Sequence, residues 1–321
     1  MTSATILKDS INSFGNRVTT FRLTYTRYIL AELNTFRMAS KNTASSRAIP
    51  VTKNIERIRE NPFVPTEWGK NRPGMSANEL INENLINEAK KTWIKASQLN
   101  CAVAEKLNSL NIHKQIVNRV LEPYSTVDTI LTATDFDNFF KLRIDKQADP
   151  EIHRLARLMY EEYSNSKPEL LLTNQWHLPY IDCDYSDVNN KRYFVDNTEI
   201  DLETAIKVSV SCCAQVSYRK LDTSVDKALD IFEKLRLFDS ESIPHSSPTE
   251  HQCKPFSNKE YEVRMNAYNM MYESLNGEVN INEKELSELE SIFYKRNFRG
   301  WTQYRVSIPN DTFKNKFILD E

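Results

Sequence analysis

The sequence predicts an α+β protein in one domain, residues 1–321, with a small twisted antiparallel sheet packed against several long helices. Three observations carry that expectation. The N-terminal segment T-I-L-K-D-S-I-N-S-F-G-N-R-V-T-T-F-R-L-T-Y places β-type residues on either side of Phe14-Gly15-Asn16, the pattern of two strands joined by a turn. Downstream, apolar residues recur at helical spacing in one stretch after another. Finally, no internal repeat, low-complexity tract or clear linker interrupts the 321 residues.

The elements follow in order. Val18, Phe21, Leu23 and Tyr25 mark the second strand, and Ile29, Leu30, Leu33 and Phe36 predict a helix from Arg27 to Met38. Prolines at 50, 62, 65 and 73 predict a long, partly irregular connection over 48–76. A stripe containing Leu80, Leu85, Ala89, Trp93, Ala96, Val103 and Leu107 predicts the longest helix, Ser76 to Leu110, within an insertion at about 54–110. Further helices are expected at Ile112–Leu121, stopping before Pro123, at Ser125–Ile144 on Ile130, Leu131, Phe136, Phe139 and Phe140, and at Pro150–Tyr163. Residues 174–200 read as strand and loop, and Asp201 as the cap of a helix reaching about Ser217. Helices at Thr223–Leu237 and Asn258–Tyr272 flank a polar loop at 240–257, and the tail F-R-G-W-T-Q-Y-R-V-S adds an edge strand.

Composition bounds the function. Hydrophobic residues make up 40% and charged residues 27%, and the apolar runs fall short of the ~20 residues of a membrane helix. The N-terminus M-T-S-A-T-I-L-K-D-S has no charged region followed by an apolar block, so a cytoplasmic protein without a membrane partner is expected. Five cysteines without C-x-x-C spacing argue for a reducing compartment and against a disulfide framework or zinc site. A net charge of −2 gives no general attraction for nucleic acid, so any anion site must be local. All five glycines stand alone, which excludes G-x-G-x-x-G and P-loop turns. A nucleotide must then be held by side chains and helix ends.

The stretch T-F-R-M-A-S-K-N-T-A-S-S-R, residues 35–47, gathers Arg37, Lys41 and Arg47 among Ser40, Asn42, Ser45 and Ser46 without one acid. Alone it reads either as a solvated basic loop or as a local anion site. Arg119 and Arg143 lie in amphipathic patterns and read either as salt-bridged surface residues or as anion ligands. Asp135 and Asp137, two apart on a helix, point to different faces. His245 and His251 in P-H-S-S-P-T-E-H are not spaced as a helical zinc pair, so no metal is expected; Ser246 or Ser247 before Pro248 suits a helix cap. His177 in N-Q-W-H-L-P-Y reads as a satisfied core histidine, and no nucleophile with a convincing base is present.

Several segments together resemble the flavin-dependent thymidylate synthases. Arg37, Ser40, Asn42, Ser45 and Arg47 keep the intervals of that family's R-H-R-x-x-S-x-N-x-x-S-x-R signature, while N-R-V-L-E-P (118–123), N-F-F-K-L-R (138–143) and A-D-P-E-I (148–152) resemble its A-R-x-x-L-P, N-F-x-x-L-R and A-Q-x-E-I. C-A-Q-V-S-Y (213–218) and H-S-S-P-T-E-H (245–251) resemble its opening block, yet stand near the C-terminus. The resemblance therefore implies a circularly permuted thymidylate synthase complementing fold, an arrangement associated with viral members, with the flavin segment at about 201–260. Permutation is tolerated where chain ends lie close at the surface.

The resemblance implies reductive methylation of dUMP to dTMP, with FAD as cofactor, NADPH and methylenetetrahydrofolate as co-substrates, and a homotetramer with shared active sites. It implies that Arg37, Phe36, Asn42, Thr43, Asn138, Ser217, His245 and Ser247 contact the flavin. Glu32, Thr35, Ser45, Ser46, Arg47, Arg119 and Arg143 fall to the nucleotide, with Arg143 stabilising the ionised pyrimidine. The chain departs from the signature at Thr35 and Phe36, which replace Arg and His, at Thr43, which replaces an acid, and at Glu32, which replaces glutamine. A carboxylate only accepts hydrogen bonds, so Glu32 would favour a base presenting a donor, such as cytosine. A dCMP- or dUMP-hydroxymethylating enzyme and an inactive nucleotide-binding homologue are the alternatives.

Overall fold

The computed structural model describes residues 2–77, 79–187, 191–217, 221–239, 242–274, 289 and 291–309. Its N-terminal hairpin pairs β1 (Ser3–Asn12) with β2 (Arg17–Thr26), with one register shift between Ile6 and Lys8. Gly15 sits in the turn at φ 81°, a conformation glycine adopts without steric cost. The Asn12 side chain accepts from the backbone N–H of Phe14 and Asn16 at 3.0 and 2.9 Å, which fixes the turn.

β3 (Ser40–Thr43), β4 (Thr126–Ala133) and β5 (Glu169–Leu171) complete a five-stranded sheet of order β3-β4-β2-β1-β5. It is antiparallel except for the short parallel pairing of β5 with β1. Strand alternation divides its two faces. Phe21, Leu23, Tyr25, Val127, Leu131 and Ala133 face one core, where Leu33, Phe36, Phe136 and Met159 meet them. Ser10, Thr20 and Thr132 face the other side, towards the C-terminal part of the chain.

The helices of the first half are α1 (Leu30–Asn34), α2 (Val51–Glu60), α3 (Glu83–Ser109), α4 (Lys114–Val117), α5 (Asp137–Arg143) and α6 (Pro150–Asn165). α5 and α6 cover the first core. α2 and α3 build a separate apolar layer from Val51, Ile55, Ile58, Cys101 and Ala104, joined by Val117 and Leu121. In the second half, the meander β6 (Asp182–Asp184), β7 (Arg192–Val195) and β8 (Thr198–Ile200) packs with α7 (Leu202–Ala214) and α8 (Val225–Lys234) around Leu178, Val195, Val208 and Phe232. Asp201 caps α7 by accepting from Thr204 N at 3.0 Å, as its position predicts. β9 (Cys253–Pro255), α9 (Asn258–Ser274), β10 (Tyr294–Lys295), β11 (Phe298–Arg299) and β12 (Trp301–Gln303) follow. The C-terminal strands close over the hairpin: Asn12 Nδ2 donates to Gly300 O at 2.9 Å, and Trp301 Nε1 to Asn16 O at 3.2 Å. Among the described residues no helix is long and apolar enough to cross a membrane.

Four expectations need correction. The helix expected over Ser125–Ile144 is the central strand β4 followed by α5. T-V-D-T-I-L-T-A is rich in β-branched residues, and pairing with β2 on one side and β3 on the other decides the segment. The helix expected over Arg27–Met38 is a 3-10 turn, Arg27–Ile29, and the short α1, because the chain must turn at 36–39 to enter β3. The connection 48–76 contains the regular helix α2, since Pro50 stands at its N-cap rather than inside it. The polar loop 240–257 contains a 3-10 turn and β9, which pairs with the expected tail strand β12.

Candidate active site

The acid-free stretch 35–47 runs from the end of α1 through edge strand β3 into a turn before α2. Alternation distributes its side chains. Ser40 and Asn42 point towards the C-terminal half: Ser40 Oγ accepts from Gln303 Nε2 at 3.0 Å, and Asn42 Nδ2 donates to Cys213 O at 2.6 Å. Thr43 points to the first core and shares a hydrogen bond with Thr129 at 2.9 Å. Lys41 donates to Phe36 O and lies 5.7 Å from the Phe36 ring. Burial without a carboxylate partner lowers its ammonium to about 8. The stretch thus spends most of its donors on the fold and leaves Arg37 and Arg47 exposed at its two ends. Phe36 is a core side chain, stacked on Phe139 with ring centroids 4.8 Å apart.

At the end of α1 three predicted residues meet. Arg143, the last residue of α5, donates through Nη2 to Thr35 Oγ1 at 2.9 Å and stands 3.8 Å from the Glu32 carboxylate. Thr35 Oγ1 donates in turn to Glu32 O at 2.6 Å. Burial and the neighbouring Asp149 charge push the Glu32 carboxyl up, while the Arg143 guanidinium pulls it down. The cluster presents a cation, a hydroxyl and a tunable carboxyl group at one surface. That is a donor and acceptor set suited to the polar edge of a heterocycle. Asn138 is exposed in the first turn of the same helix α5.

The turn after β3 is held from below. Asn118, fully buried, donates to Ser46 O at 2.7 Å and Ile49 O at 2.9 Å. Arg47 N donates to Ser45 Oγ at 3.3 Å, and Ser46 is buried. Arg119 is exposed and paired to Glu122 at 3.0 Å; the same carboxylate stands 4.0 Å from Arg27. Next to this turn opens a cavity of about 590 Å³, bounded by Ala44, Ala48, Ile49 and Pro50, by β2 and β4, by α2 and by the end of α7. Among the described residues, Arg22, Arg27, Lys53 and Arg57 line it against one carboxylate, Asp128.

The C-terminal motif H-S-S-P-T-E-H divides between surface and interior. His245 and Ser247 are exposed, and Ser247 opens the 3-10 turn Ser247–Glu250. Ser246 takes the cap position, with Pro248 in the first turn, but its hydroxyl makes no cap bond. His251 is buried, bonded through Nδ1 to Thr132 Oγ1 at 2.8 Å, with Nε2 lacking a partner among the described residues. Thr132 bonds Thr20 at 2.8 Å, Thr20 bonds His177 Nε2 at 2.8 Å, and His177 Nδ1 bonds Ser10 at 2.9 Å. His177 is therefore the satisfied core histidine its context predicts. Burial drives both rings towards the neutral form, His251 down to about 3 and His177 well below its ordinary value. Ser217 ends the 3-10 turn after α7, and its side chain lies outside the described residues.

Glu32, Thr35 and Arg143 are thus brought together, while Ser45, Ser46 and Arg47 lie in the turn between the cavity-lining residues Ala44 and Ala48, and Arg119 follows Asn118, which holds that turn; none of these four lines the cavity itself. Asn42 reaches the backbone of the segment 213–217, which lies 171 residues away from it at Cys213. Sequence reading missed Arg22, Arg27, Lys53 and Arg57. Two signals pointed to three of them. Alternation in F-R-L-T-Y-T sets Arg22 opposite Phe21 and Leu23, and V-T-K-N-I-E-R-I-R-E carries an apolar stripe with Lys53 and Arg57 four apart beside it.

Residues 13–169, which hold β2, β3, β4 and the Arg143 cluster, match the family described as thymidylate synthase complementing protein. The segment 201–260 lies outside that match. No curated protein matches the chain. Among solved structures, a UMP/dUMP methylase from Streptomyces cacaoi bound with 5-Br UMP aligns at 14% identity and TM-score 0.43, covering 51% of this chain and 89% of that one. Thymidylate synthase X from Helicobacter pylori, with FAD and dUMP, aligns at 20% identity and TM-score 0.31, covering 46% of this chain and 67% of that one.

Proposed function

We propose that this chain, whose residues 13–169 match the thymidylate synthase complementing family, is a member of it that methylates dUMP to dTMP with FAD, NADPH and methylenetetrahydrofolate. The observation that carries the reading is that the family segment contains both the Glu32–Thr35–Arg143 cluster and the turn at 45–47 beside a cation-lined cavity. Arg143 sits at the pyrimidine and stabilises negative charge developing on the ring; Glu32 and Thr35 orient it. Ser45, Ser46, Arg47 and Arg119 hold the nucleotide phosphate, for which guanidinium forks and hydroxyls are suited donors.

The residues available for a flavin are compatible with it. The cation excess suits its phosphates, and no glycine-rich turn competes for that role. Arg37, Asn42, Thr43, Asn138, Ser217, His245 and Ser247 are the candidates, with Phe36 supporting them from the core. When bound, the flavin supplies hydride transfer and mediates passage of the one-carbon unit. The chain's own part is to bind, orient and exclude water. A single domain with the flavin segment permuted to 201–260 is supported by Asn42 Nδ2 bonding Cys213 O and by Thr132 bonding His251, which tie that segment to β3 and β4. A homotetramer with shared sites belongs to the same reading.

Glu32 favours a second reading, in which dCMP is the substrate or hydroxymethylation the outcome, because its carboxylate accepts from a 4-amino group. Purified protein incubated with dUMP or dCMP, NADPH and methylenetetrahydrofolate should yield dTMP from dUMP by mass analysis. Conversion of dCMP alone would establish the second reading, and no product from either nucleotide would sink both. Yellow protein with flavin absorbance and a tetramer by light scattering are the accompanying expectations.

A further inference from the structure

The tail W-T-Q-Y-R-V-S predicts no more than an edge strand, yet one of its side chains joins two motif segments that the sequence sets far apart. Gln303 ends β12, opposite Cys253 of β9, and is only 2% exposed. Its amide nitrogen carries two hydrogens, and both are used. Nε2 donates to Ser40 Oγ at 3.0 Å and to Glu250 O at 2.8 Å. Ser40 belongs to the stretch 35–47, 263 residues from Gln303, and Glu250 to H-S-S-P-T-E-H, 53 residues from it. A single buried amide therefore bridges the two.

Neighbouring residues tie the same tail to the same segments. Arg305, in the 3-10 turn Tyr304–Ser307, pairs with the Glu250 carboxylate, and Tyr304 N donates to Gln252 O at 2.8 Å. Asn297 Nδ2 adds a longer donation to Ser40 Oγ at 3.3 Å. Ser40 opens β3, whose one ladder partner among the described residues is β4. Within that pairing Ser40 stands opposite Thr132, and Thr132 holds His251. Backbone pairing thus fixes β3 on β4, and His251 fixes its own segment on β4. Gln303 sets the register of the one segment against the other. Asn42 follows Ser40 by two residues on the same face of β3, and Ser247 opens the 3-10 turn that Glu250 closes. Groups that share a ligand must be held within about 0.5 Å of the productive geometry, and buried supporting hydrogen bonds supply that precision.

We propose that Gln303 is a positioning residue for the flavin site, its amide setting the separation between Asn42 on β3 and Ser247 on the turn that ends at Glu250. This role rests on the flavin reading of those two segments. The nucleotide residues hang on other supports: Asn118 holds the 45–49 turn, and Arg143 ends α5. Gln303 therefore acts on FAD and leaves dUMP alone.

Isothermal titration of the chain with FAD, and with dUMP at saturating FAD, tests the role. Gln303→Met keeps the length of the side chain and removes both donations without adding charge. FAD affinity should fall about tenfold or more, while the dUMP dissociation constant stays within about twofold. The visible absorbance bands of the bound flavin should shift in the same variant. Ser40→Ala deletes one acceptor and keeps the bond to Glu250, so it should weaken FAD by about threefold, and it carries the test should Gln303→Met not fold. FAD affinity unchanged in the folded variants would overturn the role, as would equal losses for FAD and dUMP, the mark of a general loosening of the fold. Wild-type chain that takes up no FAD would sink the flavin reading and this role with it. Wild-type uptake matched by unaffected variants would sink the role alone.

Discussion

At Glu32 opposing influences meet: burial and Asp149 push the carboxyl up, and Arg143 at 3.8 Å holds it down. Arg143→Ala should therefore raise the Glu32 carboxyl further, which a carbon-13 NMR titration of the side chain reads directly. If Arg143 also stabilises charge on the pyrimidine, the same variant should lose about a hundredfold in kcat, the scale of removing one such donor. Glu32→Gln gives position 32 a donor where the carboxylate offered only acceptors, and should move the ratio of kcat/KM for dUMP over dCMP upward by about tenfold or more. The two buried histidines make a separate prediction. Their folded pKa values lie below the unfolded value of about 6.5, so the unfolded chain binds protons that the folded chain refuses. Their contribution is complete above pH ~6.5 and falls as pH drops, by up to about 1.4 kcal/mol per pH unit for each histidine, continuing towards about 3 for His251. Thermal unfolding from pH 7 to 4 should follow that slope, and His251→Gln should flatten it. His177 was legible as a core residue from its apolar neighbours. The role of Phe36 was not, because a substitution inside a binding motif looks the same whether the new ring faces a ligand or stacks on Phe139.

Among the elements, β3 and the turn after it depend on one side chain that no motif singles out. Asn118 satisfies Ser46 O and Ile49 O from a fully buried position, so Asn118→Ala leaves two carbonyls short of a donor and should cost about 1–3 kcal/mol. Chemical denaturation measures that loss, and faster amide exchange over 45–49 should localise it. Gly300 is similarly constrained: at φ 76°, an added Cβ would lie 2.8 Å from Asn16 Cγ. Gly300→Ala should destabilise by about 1–3 kcal/mol, seen as a lower midpoint in the same experiment. The hairpin and the α7 cap were legible because their determinants are local: a glycine turn and an aspartate before a helix. β4 was hidden because Ile130 and Leu131, read together with Phe136, Phe139 and Phe140, imitate helical spacing. Only pairing with β2 and β3 reveals the period of two.

For the whole molecule, an overall charge of −2 conceals a cavity where, among the described residues, four cations face one acid. Raising salt should therefore weaken anion binding steeply while shifting the melting temperature little, a contrast that titration and thermal scans at two ionic strengths would expose. Composition could say only that an anion site must be local. Locating it required β2, β4, α2 and the end of α7 to be assembled, since no two of the four cations neighbour each other in sequence.

The closure of the hairpin by Gly300 and Trp301 also has a consequence for how the chain is made. Asn12 and Asn16 wait for partners 288 and 285 residues further on. At a synthesis rate of ~5–20 residues per second, the ribosome delivers those partners on the order of tens of seconds after the turn has emerged. Throughout that interval β3, whose Ser40 will later accept from Gln303, remains an open sheet edge. The nascent chain is then most exposed to misassembly, and chaperone capture should be strongest before its last strands leave the exit tunnel.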